Sequence, residues 1–310
     1  MLDESEVSLL VIDSRFLRNL RMVRVALEAQ RFLLCYFAVG WTSEISAEEL
    51  LRYAAMTGLS DGQLAELVAR VHAVHGGFSC CGRRPALGLF RSVVLVVCLM
   101  RKNLTQQFAG ALFGVSQATV SRRWDLLRPL IGQVLAECVP DPREVVGAGT
   151  VLVDGTICPT WDWRDVPDLH SAKVGYAGMN IQIAATMSGR LAAVGSIPVH
   201  GARHGAYTFS ASDLKTLLNG LSTVADLGYV GVEGIDIVPF KRAAGGDLTT
   251  GQAEFNTALS KIRAAVERAI AHLKTWRMLS EEAGQYRAPL EKYQSMLQAV
   301  VGLYFFATYE

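Results

Sequence analysis

Three carboxylates sit where the surrounding sequence can hold them still. Asp154 follows the apolar run Val151-Leu152-Val153, and Asp226 follows Thr223-Val224-Ala225 and precedes Leu227-Gly228-Tyr229. Each reads as a short strand that delivers an acid where it runs out, and two such ends can meet in one sheet. Glu267 belongs instead to a helical stretch from Ile262 to Trp276. At about 100° per residue, Ile262, Val266, Ile270, Leu273 and Trp276 form a buried stripe, and Arg263, Glu267 and Lys274 align at its border. Taken singly, each Asp could serve a cap or turn, and the Glu a solvated helix surface. Taken together, three carboxylates on two strand ends and a following helix suit a pair of Mg²⁺ ions, with Mn²⁺ as the expected substitute, because hard cations want oxygen ligands. Two ions about 4 Å apart can stabilise both the attacking and the leaving oxygen of an in-line phosphoryl displacement. The chemistry expected from these residues is phosphodiester cleavage.

Such chemistry needs nucleic acid, yet 30 Lys+Arg against 29 Asp+Glu leave a formal charge of only +1. Affinity must therefore come from a local patch. The segment from Ser79 to Gly132 supplies one, with eight basic residues (Arg83, Arg84, Arg91, Arg101, Lys102, Arg122, Arg123, Arg128) and the single acid Asp125. Within it, Thr105 can cap a first short helix, Gly114 can end it, and Ser116 can cap a second. Val120, Trp124 and Leu127 recur at i, i+4 and i+7 to bury one face, and Gly110 is small where two helices must cross. Gln117, Thr119, Arg122 and Arg123 are left for the solvent-facing side. This is the pattern of a helix-turn-helix, whose second helix enters the major groove, where Gln pairs with adenine and Arg with guanine. A helical hairpin with a charged face is the alternative.

The remaining sequence must position these parts. At 310 residues and 51% hydrophobic, the chain can build two or three cores. We expect a helical region over 1–78, the helix-turn-helix over 79–135 and an α/β unit over 147–310. The helical region shows capping-box spacings at Ser46 and Ser60, and the run Ser92 to Met100 reads as a buried helix, far short of the roughly 20 residues that cross a bilayer. Strands are expected over 150–154, 180–187, 191–198, 222–226 and 235–240, followed by helices from about Thr250, including an apolar one over Tyr293 to Tyr309. Six cysteines without a CxxC pair, Cys80 and Cys81 among them, fit a reducing compartment. The acidic start Met-Leu-Asp-Glu-Ser-Glu lacks the basic region of a secretory signal. A cytoplasmic protein with no membrane contact is expected.

Val-Asp-Gly-Thr at 153–156, Gly178-Met179-Asn180-Ile181-Gln182, Ala225-Asp226-Leu227-Gly228-Tyr229 and the helix bearing Asn256, Ser260, Arg263, Glu267 and Lys274 together resemble the DDE transposases. The resemblance is to the insertion-sequence-five family and its eukaryotic Harbinger relatives. It covers the chain from about Gly82, because those proteins also place a helix-turn-helix resembling Leu104 to Arg123 ahead of the catalytic unit. It implies an RNase H-like fold, a mixed five-stranded sheet with helices, and a Mg²⁺-dependent reaction with two ions per site. Asp154, Asp226 and Glu267 would take the three ligand places, with Arg263 and Lys274 as DNA-phosphate or orienting contacts. Water would first hydrolyse a phosphodiester at the end of a mobile element, and the freed 3′-hydroxyl would then attack target DNA, with no covalent intermediate. The implied partners are double-stranded DNA, as transposon ends and as target, and a second copy of the chain or a larger synaptic assembly. The implied setting is a bacterial nucleoid.

Two positions depart from the family pattern. Relatives carry His-Asp after the third strand, whereas this chain has His204-Gly205, and Ser260 stands where many have Tyr. Asp226 is preferred as the second acid because it ends the fourth strand and because forty residues separate it from Glu267. The lost acid keeps open a decayed or domesticated relative that binds DNA without cutting it, and a ligand-sensing transcription regulator is the other rival. His200 and His204 are four apart like zinc ligands, but Gly201 argues against a helix there. Lys173, Tyr176 and Asn180 are candidate contacts near the site. Trp161, in Trp161-Asp162-Trp163-Arg164, is either a base-stacking residue or an aromatic anchor packed on the core.

Overall fold

The structure, a computed structural model, describes residues 47–78, 85–147, 149–163, 165–243 and 246–309. The expectations at Ser46, Cys80, Cys81, Arg83, Arg84 and Arg164 fall outside these residues. The first described elements are helices, α1 (Ala47–Thr57) and α2 (Asp61–His75), the latter opened by a complete capping box between Ser60 and Gln63. The apolar run becomes α3 (Leu89–Lys102), in which every residue from Ser92 to Met100 is buried. It stops at Asn103, in the left-handed conformation with φ 52°.

The turn chemistry of the basic segment acts as its residues suggest. Thr105 accepts a hydrogen bond from the Phe108 amide to start α4 (Gln106–Phe113), Gly114 ends it at φ 68°, and Ser116 accepts from the Thr119 amide to start α5 (Gln117–Val134). Val120, Trp124 and Leu127 are buried, so the i, i+4, i+7 face does point inward. A short helix α6 (Pro142–Val146) then leads to the sheet.

β1 (Thr150–Pro159) pairs antiparallel with β3 (Tyr176–Thr186), and β3 with β4 (Leu191–Val194). On its other side β1 pairs in parallel with β6 (Ser222–Val224), which forms a further parallel bridge from Val224 to Ile237. The order is thus β4-β3-β1-β6 and then Ile237, three antiparallel positions followed by two parallel ones. This is the mixed five-position sheet of an RNase H-like fold, an α/β unit preceded by an all-α region. Two-residue strands β2 (His170–Ser171) and β5 (Val199–His200) pair onto β3.

Strand alternation sorts the two faces. Leu152 and Cys158 join Ile181, Ile183 and Ala185 beneath α9 (Thr250–Leu273) and α10 (Tyr293–Tyr309). Val151 and Val153 join Ala184 and Ala193 against Phe209 of α7 (Gly205–Ala211) and Leu214 of α8 (Leu214–Leu217). The first of these clusters runs on without a break through α10 into α5 and α3. On α9 the buried residues are Leu259, Ala265, Val266, Ala269 and Leu273, while Ile262 and Ile270 are only partly covered.

Each expected strand differs from its observed bounds, β3 starting earlier and β4 and β6 ending sooner, and for two strands the reason is identifiable. β1 does not run out at Asp154; Gly155 to Pro159 continue the ladder opposite Gln182 to Gly178, so the acid is in mid-strand. The fifth strand shrinks to one bridge because side chains take its backbone partners. Asp236 Oδ2 accepts from the Thr223 amide at 2.8 Å, and Thr223 Oγ1 accepts from the Asp236 amide at 2.9 Å.

The crossing of α4 and α5 yields a prediction. A Cβ at Gly110 would stand 2.7 Å from the Val115 carbonyl oxygen, inside the turn itself. Gly110→Ala should therefore lower stability by about 1–3 kcal/mol, read by urea unfolding, through forced separation of the two helices.

Candidate active site

Asp154 stands where the sheet opens. The parallel pairing of β1 with β6 ends at Leu152 opposite Val224, so the next inward-facing residue of β1 has no strand beside it. Asp226, two residues beyond Val224, turns the chain out of the sheet: its Oδ1 accepts from the Gly228 amide at 2.8 Å and caps the 3₁₀ turn Leu227–Tyr229. The same division of labour holds at Asp154, whose Oδ1 accepts from its neighbour Gly155 at 2.8 Å. Both acids thereby leave Oδ2 free. Both Oδ2 atoms face one nitrogen, Arg263 Nη2 on α9, at 3.0 Å from Asp154 and 3.7 Å from Asp226. Burial pushes the Asp154 carboxyl above its ordinary range; Arg263 and the Gly155 amide oppose that shift, and Asp226 adds to it.

Glu267 lies one helical turn beyond Arg263 and is exposed. It opens into a cleft of about 530 Å³ shared with Arg101 and Lys102 at the end of α3, and with Lys274 and Arg277. Lys274 donates to the Ile157 carbonyl oxygen at 3.1 Å and so ties the end of α9 to β1. Among the described residues, no three His, Cys, Asp or Glu side chains come close enough together to hold an ion. The structure thus joins Asp154 to Asp226 but leaves Glu267 a turn away. The two aspartates fit a divalent cation by their donor chemistry: hard oxygens converge on one positive group, and the guanidinium occupies the position between them.

Beneath Asp154, on the opposite face of β1, is a buried polar group that its motifs do not announce. Tyr229 donates from its hydroxyl to Gln182 Oε1 at 2.8 Å, and its ring meets Phe209 edge-on. Burial, helped by Asp154 and Asp226, raises the Tyr229 phenol far above its ordinary range, so it stays a donor. A Cβ at Gly155 would lie 2.6 Å from Gln182 Nε2, and one at Gly205 would lie 2.7 Å from the Tyr229 hydroxyl. Any side chain at 205 would therefore require the phenol to shift. His204 caps α7 by accepting from the Tyr207 amide, and His200 Nδ1 lies 2.8 Å from the Pro167 carbonyl oxygen. Asn180 donates to the Arg203 carbonyl oxygen at 3.0 Å. Lys173 is exposed, and the Tyr176 phenol is pushed up to about 12, by burial first and then Glu281. Trp161 is exposed, whereas Trp163 packs on the core.

The comparisons with known proteins meet this geometry. Residues 154–304 match the model of the DDE superfamily endonucleases, and residues 85–137 match that of the helix-turn-helix of DDE superfamily endonuclease. A protein of Streptomyces albus G, assigned as the transposase for insertion sequence element IS112, is 31% identical over 239 residues, 76% of this chain and 89% of its own length. The chain belongs to the DDE superfamily endonucleases. A second relative, from Microchaete diplosiphon and assigned to insertion sequence element IS702, is 24% identical over 82% of this chain and 93% of its own length. A solved pre-cleavage Mos1 transpososome aligns over 84% of this chain and 98% of its own, at 10% identity with a TM-score of 0.20, too low to speak for the fold.

In this DDE endonuclease the helix-turn-helix presents most, but not all, of the expected face. Gln117 is exposed and donates to Gln106 Oε1 at 2.7 Å; Arg122 is exposed and donates to Thr119 Oγ1 at 3.2 Å. Arg123 corrects the expectation. It is half-buried: its guanidinium lies 3.5 Å from the centre of the Phe78 ring and its Nε is buried, so one side of it braces α5. Among the described residues, no helix is long and apolar enough to cross a membrane.

The raised Asp154 carboxyl carries a sign. Ionised Asp154 is opposed by its burial, a cost present above its folded-state pKa and absent below the ordinary value of 3.8. Asp154→Asn should raise the unfolding temperature of the metal-free protein at pH 7, with the gain shrinking as pH falls through the raised folded-state value and vanishing below about 3.8; thermal scans across pH check this.

Proposed function

We propose that this chain is the transposase of an insertion sequence, binding the element's terminal inverted repeats and catalysing Mg²⁺-dependent cleavage and strand transfer. The observation that carries the reading is the shared contact of Asp154 and Asp226 with Arg263, one helical turn from Glu267. It pairs with a separate DNA-recognition helix on the same chain.

The proposed roles follow the geometry. Asp154, Asp226 and Glu267 are the metal ligands and catalytic residues, the last joining the others by turning its flexible side chain along α9. Two bound Mg²⁺ ions would supply activation of the attacking water and charge stabilisation on the leaving oxygen. Arg263 holds the aspartates in register before DNA arrives, and Lys274 fixes β1 against α9; both are proposed as contacts to DNA phosphates once the cleft is filled. Gln117, Thr119 and Arg122 are proposed to contact the inverted repeat, with Arg123 acting through Phe78. The proposed division is a helical region over 1–78, the DNA-binding unit over 79–135 and the catalytic unit over 147–310. Two ends must be joined, so the working form is a homodimer or larger. A bound-but-uncut role, that of a DNA-binding regulator, is favoured by one observation, the separation of Glu267 from the aspartates.

The test is a plasmid carrying the gene's native flanking DNA, incubated with Mg²⁺. Wild type should cut and join, and Asp154→Asn, Asp226→Asn and Glu267→Gln should each lose about a thousand-fold in rate while still binding the ends. Specific binding without cutting by wild type would make the protein a regulator, and cutting by Asp226→Asn would displace that residue from the site. Arg122→Ala should cost about 1–3 kcal/mol in binding to the native ends, measured by fluorescence anisotropy, and spare unrelated DNA if the contact is to a base.

A further inference from the structure

Phe240 and Phe255 are exposed by 46% and 39%, and neither belongs to the hydrophobic clusters. They face each other edge-on with ring centres 5.2 Å apart. Such a pair gains little from folding, because each ring leaves much of its apolar surface in water. Phe240 is nevertheless held firmly: its amide donates to Asn256 Oδ1 at 2.8 Å, and its carbonyl oxygen accepts from Asn256 Nδ2 at 2.9 Å. Lys241 and Arg242 follow immediately, both exposed, and neither pairs with an acid among the described residues.

Two independent features place this pair beside the carboxylates. Ile237 runs parallel to β6, so the chain leaves it toward Phe240 in the direction in which β6 leads to Asp226. Asn256 precedes Arg263 by seven residues on α9, two turns along one helix face and about 10 Å away. Asn256, Ser260, Arg263 and Glu267 thus form one stripe, and the aromatic pair sits at its amino-terminal end.

We infer that Phe240 and Phe255 form a stacking platform for an unpaired base of the DNA strand at the cleavage site, with Lys241 and Arg242 on its phosphates. The inference rests on the endonuclease reading and adds a site to it. Aromatic faces accept any base, and cations beside them neutralise the backbone, so the chemistry selects single-stranded nucleic acid at a frayed end over an intact duplex. The clamp by Asn256 sets the Phe240 backbone in advance, so little ordering is required on binding.

The test uses the full chain without divalent metal and two synthetic duplexes of the native end sequence. One carries a three-nucleotide 3′ overhang with 2-aminopurine inside it; the other is blunt with the same analogue paired. Wild type should prefer the overhang by about ten-fold and quench its fluorescence. Phe240→Ala and Phe255→Ala should bring the two affinities together and abolish quenching, at unchanged affinity for the blunt duplex, which the helix-turn-helix provides. Phe240→Trp should retain the preference, which separates stacking from folding. Equal binding of both duplexes by wild type, or an undiminished preference in Phe240→Ala, overturns the inference. Wild type that stacks the base yet cuts nothing with Mg²⁺ leaves the platform standing and removes the nuclease; wild type that cuts while Phe240→Ala keeps its preference removes the platform alone.

Discussion

Two carboxylates at the ends of neighbouring strand pairings repel unless a proton or a cation comes between them, and the site of this structure is arranged around that constraint. At an effective dielectric of about 20, like charges 4 Å apart repel by about 4 kcal/mol. Arg263 meets the requirement, with one nitrogen facing both Oδ2 atoms. It can do so only because α9 crosses the sheet at the level where β6 stops, and α9 is held there by Val266, Ala269 and Leu273 below and by Lys274 on the Ile157 carbonyl oxygen. A second role follows from chemistry. A divalent cation drawn to the same oxygens would release the guanidinium toward whatever phosphate accompanies it.

The helix-turn-helix is coupled to this site by packing, with no flexible linker in the described residues between α3 and α5. α3 ends in the cleft that holds Glu267, and α4 starts four residues later. Arg101 donates to Thr275 Oγ1 at 2.8 Å and lies over the Trp276 ring, just past the end of α9. Asn103 donates to the Ala283 carbonyl oxygen at 3.2 Å. With α10 packed on α5 in one continuous core, α5 is held at a fixed angle to the cleft. The consequence of such rigidity is that α5 and the Glu267 cleft keep one relative geometry.

Much of this was legible in the sequence. The caps at Thr105 and Ser116, the buried stripe of α5 and the final helix from Tyr293 to Tyr309 follow from local signals, and local signals decided them. Asp154 and Asp226 could be marked as acids delivered to one sheet by the apolar runs before them. The continuation of β1 to Pro159 was hidden because Gly155 and Pro159 read as breaks, whereas pairing with β3 on one side is enough to carry a strand through both. Arg123 looked solvent-facing because helical periodicity alone does not reveal Phe78, which comes from a distant turn. The Tyr229–Gln182 bond and the Phe240–Phe255 pair join residues 47 and 15 positions apart, and no periodicity announces such contacts.

The glycine at 205 bears on how the acids should be assigned. An acid there would begin α7 on the face of the sheet away from α9, and the Tyr229 hydroxyl stands 2.7 Å from where its Cβ would be. Asp226, by contrast, lies on the Arg263 side with its Oδ2 aimed at the same nitrogen as that of Asp154. Among the described residues, the Asp226 carboxylate converges with Asp154 on one nitrogen. Position 205, on the other face, lies apart from that convergence. On that face a neutral phenol bound to Gln182 lies directly below Gly155, a fixed dipole under the strand that carries Asp154.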